Sequence, residues 1–257
     1  GHRVGVGDYG DRVVPGIPRQ EQPRVGTLAV VAVERALKRE AALVDTIVPA
    51  TPTAVVPNAV DTNFFSPSDA AVDPNTIVLT GLMKYRPNVD GAIFFVRDIL
   101  PRILRERPQA HFYIVGGEPP AEVLELAASN VVVTGSVDDV RPYVHKAAVF
   151  VVPLRMGGGT RLKVLEGLSM AKPMVSTSIG CEGIDVVDRE HLLIADEADR
   201  FADAVLELMR DHELSHALAR RGRELMLARY RWEAVVETLE AFYTRLIAAR
   251  TTPGRPA

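Results

Sequence analysis

From Thr76 onward, short runs of apolar and β-branched residues alternate with longer stretches whose apolar residues recur at helical spacing. Strands separated by helices form βαβ units, and such units build a parallel sheet with helices on both faces. The sequence therefore predicts an α/β fold of this kind. The predicted strands are residues 76–79, 111–115, 130–134, 149–152, 173–176 and 191–194, and the predicted helices are 88–107, 120–128, 137–146, one beginning after Thr160, 198–210, 213–228 and 232–249.

Glycines follow several of the predicted strands. Gly81, Gly116, Gly135 and Gly157 each come shortly after a strand ends. In open parallel sheets, ligands bind beyond the carboxyl ends of the strands, at the point where the strand order reverses. We therefore expect these glycine-bearing loops to line one crevice.

The segment after the strand 149–152 has the residue types of a phosphate site. Three glycines, residues 157–159, are followed by Thr160, which suits a helix N-cap. A helix that starts after glycines offers free backbone N–H groups and the positive end of its dipole to an anion. Arg161 and Lys163 add positive charge in the first turn, where cations are mildly unfavourable unless an anion lies nearby.

Glu166 lies three residues after Lys163, on roughly the same helix face. A carboxylate beyond a phosphate cradle can accept hydrogen bonds from sugar hydroxyls, as the acidic residue of dinucleotide-binding folds does with ribose. Two simpler interpretations remain open from these residues alone. The glycines could form only a loop, and Lys163 and Glu166 could form only an i,i+3 ion pair on the surface.

Composition excludes several classes of protein. Of 257 residues, 47% are hydrophobic and 25% are charged, as in a globular protein with a full core. The net charge of −3 gives no basic field for nucleic acid, and no apolar run of about 18 residues predicts a transmembrane helix. The single Cys181 cannot support an internal disulfide or a multi-cysteine zinc site, and we expect a reducing, cytoplasmic environment.

The part of the chain before Thr76 is less regular. The chain begins with neither Met nor the apolar core of a signal peptide, and we interpret it as an internal piece of a longer protein. Residues 1–26 show no sustained period, residues 26–48 have a helical pattern, and residues 53–56 form a short predicted strand. We divide the chain into an irregular segment with one helix (1–48), a connecting segment (49–75), an α/β domain (76–230), a last helix (231–250) and a tail (251–257).

Five sequence blocks, in this order, resemble one known family. They are Val-Pro-Asn-Ala-Val-Asp-Thr-Asn-Phe-Phe (56–65), Gly-Leu-Met-Lys-Tyr-Arg-Pro-Asn (81–88), Phe-Tyr-Ile-Val-Gly-Gly (112–117), Val-Thr-Gly-Ser-Val-Asp-Asp-Val-Arg-Pro-Tyr (133–143), and Gly-Gly-Gly-Thr-Arg-Leu-Lys-Val-Leu-Glu-Gly-Leu-Ser-Met-Ala-Lys-Pro-Met-Val-Ser-Thr (157–177). Residues 56–247 resemble the C-terminal, nucleotide-sugar-binding half of GT-B glycosyltransferases, most closely the retaining family 4 enzymes of the glycosyltransferase group 1 type. The resemblance implies a Rossmann-like sheet, an interdomain segment at 49–75, and a last helix that braces an N-terminal domain.

The resemblance also implies roles for individual residues. Glu166 falls on the family's second glutamate, which holds the ribose hydroxyls of a nucleotide diphosphate sugar. Arg161 and Lys163, with the amides of Gly158, Gly159 and Thr160, would bind the diphosphate and stabilise the charge on the leaving group, so the catalytic residues would be Arg161, Lys163 and Glu166. Gly81 and Val164 complete the predicted nucleotide-sugar site.

For some of the further candidates, a purely structural role is the alternative. Lys84 and Arg86 lie where the family commonly carries a basic residue for the phosphates, although a solvated loop is the alternative. The turn from Gly135 to Val137 is a candidate wall for the base. Arg141 could join that wall, but a role in capping or solvating its own helix is the stronger interpretation.

Two departures from the family pattern limit what can be carried over. The first of the family's paired glutamates should fall at position 158, where this chain has Gly158, so the usual contact to the donor sugar is absent. The N-terminal acceptor domain is largely absent too; at most, residues 30–48 resemble its last helix. The six histidines match no family motif, and we interpret them as structural or exposed: His2, His111, His145, His191, His212 and His216.

The resemblance predicts a retaining glycosyltransferase, or its donor-binding half, that uses a UDP-sugar or GDP-sugar. The acceptor would be a glycan, a lipid-linked molecule or a small molecule, and neither a metal nor another cofactor is expected. A noncatalytic nucleotide-sugar-binding module that needs a partner domain is the main alternative, since half of a two-domain site cannot position an acceptor. A sugar-nucleotide epimerase or a phosphorylase is another.

Two helical patterns near the C-terminus remain. Arginines in the segment 220–231 indicate a solvated face, with weak peripheral contact at the inner membrane as the minor interpretation. An apolar stripe on the last predicted helix indicates core packing, part of which we expect to be exposed. Its members are Trp232, Val235, Val236, Leu239, Phe242 and Leu246.

Overall fold

A computed structural model describes residues 31–32, 46 and 52–251. It contains eight strands within those ranges, which we number in chain order. They are β1 (Val31–Ala32), β2 (Ala54–Val55), β3 (Asp73–Thr80), β4 (His111–Val115), β5 (Val131–Gly135), β6 (Ala147–Val152), β7 (Met174–Ser176) and β8 (Leu193–Ile194).

Helices connect the strands. Two of the helical stretches contain a π-helical turn, at Phe95–Ile99 and at Met226–Tyr230. The α-helices are α1 (Arg86–Phe94), α2 (Leu100–Glu106), α3 (Ala121–Leu124), α4 (Arg141–Lys146), α5 (Leu162–Ser169), α6 (Ala198–Arg210), α7 (His212–Leu225) and α8 (Trp232–Thr251).

Six strands form one parallel sheet in the order β5-β4-β3-β6-β7-β8. This arrangement confirms the predicted α/β, Rossmann-like fold. The strand order reverses between β3 and β6, which lie side by side and pair Val78 with Phe150. The loops after these two strands therefore meet at the carboxyl edge of the sheet, where a crevice is expected.

Each face of the sheet carries its own core, because alternate side chains of a strand point to opposite faces. On β3, Ile77 and Leu79 pack into a cluster with α1, α2 and α6, whereas Val78 packs into a second cluster with α5 and the π-turn before α8. The first cluster includes ring contacts of Phe95 with Phe112 and with Phe201, at centroid distances of 4.2 and 6.1 Å. The sheet is thus covered on both sides.

The predicted helix 88–107 is present but is interrupted. Pro101 has no backbone N–H and its ring would clash with the preceding turn of an ideal helix. The chain accommodates it with the π-turn Phe95–Ile99, after which Leu100 donates its backbone N–H to the carbonyl of Phe95. The helical direction continues through α2.

Several boundaries differ from the predictions. Helix α3 ends at Leu124 instead of residue 128. Helix α4 begins only at Arg141, because the Asp139 carboxylate accepts from the Arg141 backbone N–H and forms a turn at that point.

The prediction of a helix over 26–48 is wrong at Val31–Ala32. These residues form β1, which pairs in parallel with Ala54–Val55, because pairing with a strand distant in the chain can override a local helical pattern. At Thr46 the chain is helical, as predicted. The rest of the predictions for residues 1–26 and 26–48 lies outside the described residues. None of the helices in the described ranges is both long enough and apolar enough to cross a membrane.

Candidate functional site

A crevice of about 640 Å³ lies at the carboxyl ends of the strands. The loops that follow β3, β4, β5 and β6 all contribute to its walls, as the positions of the glycines predict. Its lining includes Phe65, Thr80, Gly81, Leu82, Tyr85, Asn88, Gly116, Gly117, Ser136, Val137, Val140, Gly158, Gly159, Thr160, Arg161, Leu162, Lys163 and Glu166.

Helix α5 begins one residue later than the sequence predicts. Its N-cap is Arg161, which has extended backbone angles (φ −84°, ψ 91°), so the prediction that Thr160 is the N-cap is wrong. The Arg161 guanidinium donates to the carbonyl oxygens of Gly158 and Gly159. These contacts hold the glycine turn against the N-cap residue. The first helical N–H groups nevertheless remain next to the glycines, as expected.

Arg161 is buried, with 6% of its surface exposed. Its Nη1 makes the two contacts to glycine carbonyls, whereas Nε and Nη2 are buried and have no hydrogen-bond partner in the described part of the chain. A buried donor without an acceptor costs on the order of 1–3 kcal/mol, and more when the group is charged. An anion in the crevice would offset part of that cost.

Lys163 is the second residue of α5 and reaches towards the loop after β3. Its Nζ donates to Oδ1 of Asn88 at 2.7 Å. Burial lowers the pKa of Lys163 to about 7; the charge of Glu166 opposes this shift and that of Arg161 adds to it. The ammonium is therefore held in a partly dehydrated position where a bound anion would raise its pKa again.

Glu166 is half-buried in the same crevice, one turn further along α5. Burial raises the pKa of its carboxyl above the usual range, and the positive charge of Lys163 opposes that shift. The Lys163 ammonium donates to Asn88 at the crevice wall. The alternative interpretation, a solvated ion pair between Lys163 and Glu166 on the surface, therefore does not describe this lysine. In the ranges that the structure describes, no three His, Cys, Asp or Glu side chains are grouped so as to hold a metal ion.

Two side chains that lie close to the Gly81 backbone explain this glycine of the crevice. A Cβ at Gly81 would lie 2.7 Å from Lys163 Nζ and 2.7 Å from Asn88 Nδ2. A larger residue would therefore displace the ammonium.

One wall of the crevice is apolar. Phe65 lines the crevice together with Val137 and Val140. Arg141 does not line it: its guanidinium pairs with Asp139 at 2.8 Å and stacks over the Phe64 ring at 3.7 Å. The stronger of the two interpretations of Arg141, a local structural role, agrees with these contacts.

Four other predicted site residues lie outside the lining of the crevice. Lys84 pairs with Glu118 at 2.9 Å, and Arg86 pairs with Glu122 at 2.6 Å, in both cases on the exposed surface. Gly135 ends β5 and precedes the lining residues, and the Val164 side chain is buried in the core under α5. Of the predicted site residues, the structure thus gathers in the lining Arg161, Lys163, Glu166, Gly81, Gly158, Gly159, Thr160 and Val137, but not these four.

Several lining residues were not singled out from the sequence, Asn88 and Phe65 among them. Asn88 is 5% exposed and lies among the buried residues of α1. The sequence does contain one signal for Asn88, a polar residue on the apolar side of a helix. A buried amide needs hydrogen-bond partners, so such a residue indicates a specific contact. Phe65 belongs to the connecting segment, where nothing in the sequence indicates that it reaches the crevice.

Comparison with known proteins gives the same family as the motifs. Residues 74–211 match the model of the family described as Glycosyl transferases group 1. A protein of Mycobacterium tuberculosis, described as a GDP-mannose-dependent alpha-(1-6)-phosphatidylinositol monomannoside mannosyltransferase, is 30% identical over 228 residues. The match covers 79% of this chain and 58% of that relative, so the chain spans little more than half of its length.

Solved structures share the fold. Sucrose-phosphate synthase from Thermosynechococcus elongatus superimposes with a TM-score of 0.67 at 22% identity, covering 86% of this chain and 59% of the synthase. The C-terminal domain of a glycosyl transferase group 1 family protein, LpcC, from Francisella tularensis superimposes with a TM-score of 0.54 at 17% identity. That match covers 67% of this chain and 99% of the LpcC domain.

Proposed function

Because this chain belongs to the group 1 family of glycosyl transferases, we propose that its crevice binds a nucleotide diphosphate sugar as donor. The chain would supply the donor-binding half of a retaining glycosyltransferase, with residues 76–230 as the donor domain. The acceptor would be a glycan, a lipid-linked molecule or a small molecule.

The buried guanidinium of Arg161, two of whose nitrogens have no partner among the described residues, lies beside a glycine turn and is the observation that carries this proposal. Lys163 lies two residues further along, and within the same part of the chain the hydrogen bonds of both cations go to uncharged oxygens. Both stand at the N-terminus of α5, where the helix dipole disfavours cations unless an anion is present. A diphosphate supplies the charge and the acceptor oxygens that this arrangement lacks.

Glu166 and the apolar wall would contact the remaining parts of the donor, the ribose and the base. The Glu166 carboxylate lies one helical turn beyond Lys163, where the ribose hydroxyls of a nucleotide held by its diphosphate would donate to it. The base would pack between Phe65 and the Val137 turn. The Mycobacterium tuberculosis relative is GDP-mannose-dependent, so GDP-mannose is the first donor to test.

In the transfer step, the bond between the anomeric carbon and the diphosphate oxygen breaks, and the acceptor oxygen bonds to that carbon on the face that the diphosphate leaves, as retention requires. The proton of the acceptor hydroxyl passes to the departing diphosphate oxygen. Negative charge grows on the leaving nucleotide diphosphate. Arg161, Lys163 and the amides at the start of α5 would stabilise this charge more strongly in the transition state than in the ground state, and this difference accelerates the reaction. Positioning of the acceptor would require a second domain facing the crevice.

Calorimetric titration of the chain with UDP, GDP and their sugar conjugates tests the donor site. We expect binding of one nucleotide, weakened about tenfold or more by Arg161→Ala and by Glu166→Ala, the scale of hydrogen bonds to charged groups. Arg189→Ala is the matched control, because Arg189 pairs with Glu207 on the surface away from the crevice lining. No binding at millimolar nucleotide, or equal losses in all three variants, would contradict the proposal.

A further inference from the structure

Asn88 joins three elements at the bottom of the crevice. It lies on α1, its Nδ2 donates to the carbonyl oxygen of Leu82 in the loop after β3 at 2.9 Å, and its Oδ1 accepts from Lys163 Nζ on α5 at 2.7 Å. The contact to Leu82 fixes the orientation of the amide, because the carbonyl requires the NH₂ end. The oxygen end must therefore face Lys163.

The contact matters because the Lys163 ammonium is costly to hold where it is. Partial burial disfavours its charged form and lowers its pKa to about 7. On its own helix, the charges acting on it are Glu166, which favours the ammonium, and Arg161, which disfavours it. From α1 and the loop after β3, it meets Asn88 and the Gly81 backbone, neither of which is charged.

We propose that Asn88 is a positioning residue for nucleotide binding, which holds the Lys163 side chain charged and directed into the crevice for the diphosphate. The inference rests on the proposed donor site. An amide suits this task better than a carboxylate, since it orients the ammonium and stabilises its charge without neutralising it. Asn88 itself need not touch the ligand.

The proposal predicts how nucleotide affinity depends on pH. If binding needs the protonated lysine, affinity is unaffected by this group below pH 7 and falls as the pH rises through its pKa, by up to about tenfold per pH unit. Removing an acceptor of the charged form lowers that pKa, whereas a carboxylate in its place raises it. Asn88→Ala should therefore move the fall in affinity to lower pH, and Asn88→Asp to higher pH by about one unit or more.

The test is calorimetric titration of the full chain with GDP and UDP between pH 6 and 9 for the unmodified protein and both variants. Both substitutions remove the bond to the Leu82 carbonyl, so a merely structural role would weaken binding in both without moving the two pH profiles apart. Asn130→Ala is the matched control, because Asn130 donates to the carbonyls of Ala110 and Pro108 and does not line the crevice. Opposite shifts in the two Asn88 variants, with none in the control, are the expected result.

Two outcomes would overturn the inference, and they are distinguishable. If the unmodified chain binds no nucleotide, the donor site itself is wrong and Asn88 has nothing to position. If nucleotide binds but the pH profiles of the Ala and Asp variants coincide, the donor site stands and the role of Asn88 fails. Should Asn88→Ala not fold, as judged by circular dichroism, the direction of the shift in Asn88→Asp decides alone.

Discussion

At the scale of single residues, Gly158 and Gly159 are neighbours with opposite backbone requirements. Gly159 has φ +82°, whereas Gly158 lies outside the left-handed region, and a Cβ at Gly158 would meet nothing within 4 Å. We expect Gly159→Ala to lower the free energy of unfolding by about 1–2 kcal/mol, and Gly158→Ala to leave it unchanged or raise it by up to about 1 kcal/mol. Urea denaturation of the two variants measures the difference, and equal losses would show that the turn is not held in this conformation.

The open space at Gly158 also bears on the donor sugar. The family pattern that this chain resembles places at this position the glutamate expected to contact that sugar, whereas a Cβ here would meet nothing within 4 Å. The space around the backbone therefore does not by itself require a glycine at position 158.

The sequence indicates best which residues meet in the crevice when those residues are close together in the chain. Arg161, Lys163 and Glu166 lie within one strand, turn and helix, and short spacing along one helix brings them together. Asn88 is separated from Lys163 by 75 positions, and only the sheet topology brings them into contact. Burial and long-range pairing of this kind leave little trace in a single sequence.

At the scale of elements, α5 must be held firmly because it carries the candidate site. A Cβ at Gly222 of α7 would lie 2.7 Å from Leu168 Cδ2 of α5 and 3.2 Å from the backbone oxygen of His191. We expect Gly222→Val to push α7 away from α5 and to lower stability by about 1–3 kcal/mol. Thermal denaturation, with Arg221→Ala on the exposed side of the same helix as control, measures the effect. No loss of stability would mean that α7 does not confine α5.

Element type was easier to predict than element boundaries. The long periodic helices α6, α7 and α8 and the buried strands follow their apolar patterns. The ends of α3 and α4 do not, since a turn centred on Asp139 sets where α4 begins. Strand β1 depends on its pairing with Ala54–Val55, which a local helical pattern cannot indicate.

At the scale of the whole molecule, ligand binding and folding are linked. A nucleotide that binds the folded chain alone stabilises it by about 2.7 kcal/mol at a hundred times its Kd. For a chain of this size that corresponds to a rise in Tm of about 5 °C or more. We expect this shift with the nucleotide that binds best, and a rise about half as large for Arg161→Ala at the same concentration if its Kd is tenfold higher. Thermal shift measurements test it, and an equal rise with inorganic phosphate would point to a simple anion site.

The exposed surface of α8 also belongs to this scale. Val235 and Phe242 are buried, whereas Trp232 and Val236 expose 59% and 45% of their surfaces. The predicted stripe is therefore core packing on one side and exposed on the other, as expected for part of it. The covering of the exposed side by an N-terminal domain stays a prediction.

The reversal of strand order between β3 and β6 has a consequence for how the chain is made. A ribosome releases β3, β4 and β5 first, and these can pair into half a sheet while β3 still has an open edge. That edge stays unpaired until β6 is synthesised much later, together with the glycine turn that follows β6. The boundary between β3 and β6, whose loops are proposed to bind the nucleotide, is thus also the part of the sheet that stays unpaired in the nascent chain. A chaperone that recognises unpaired strands would bind there.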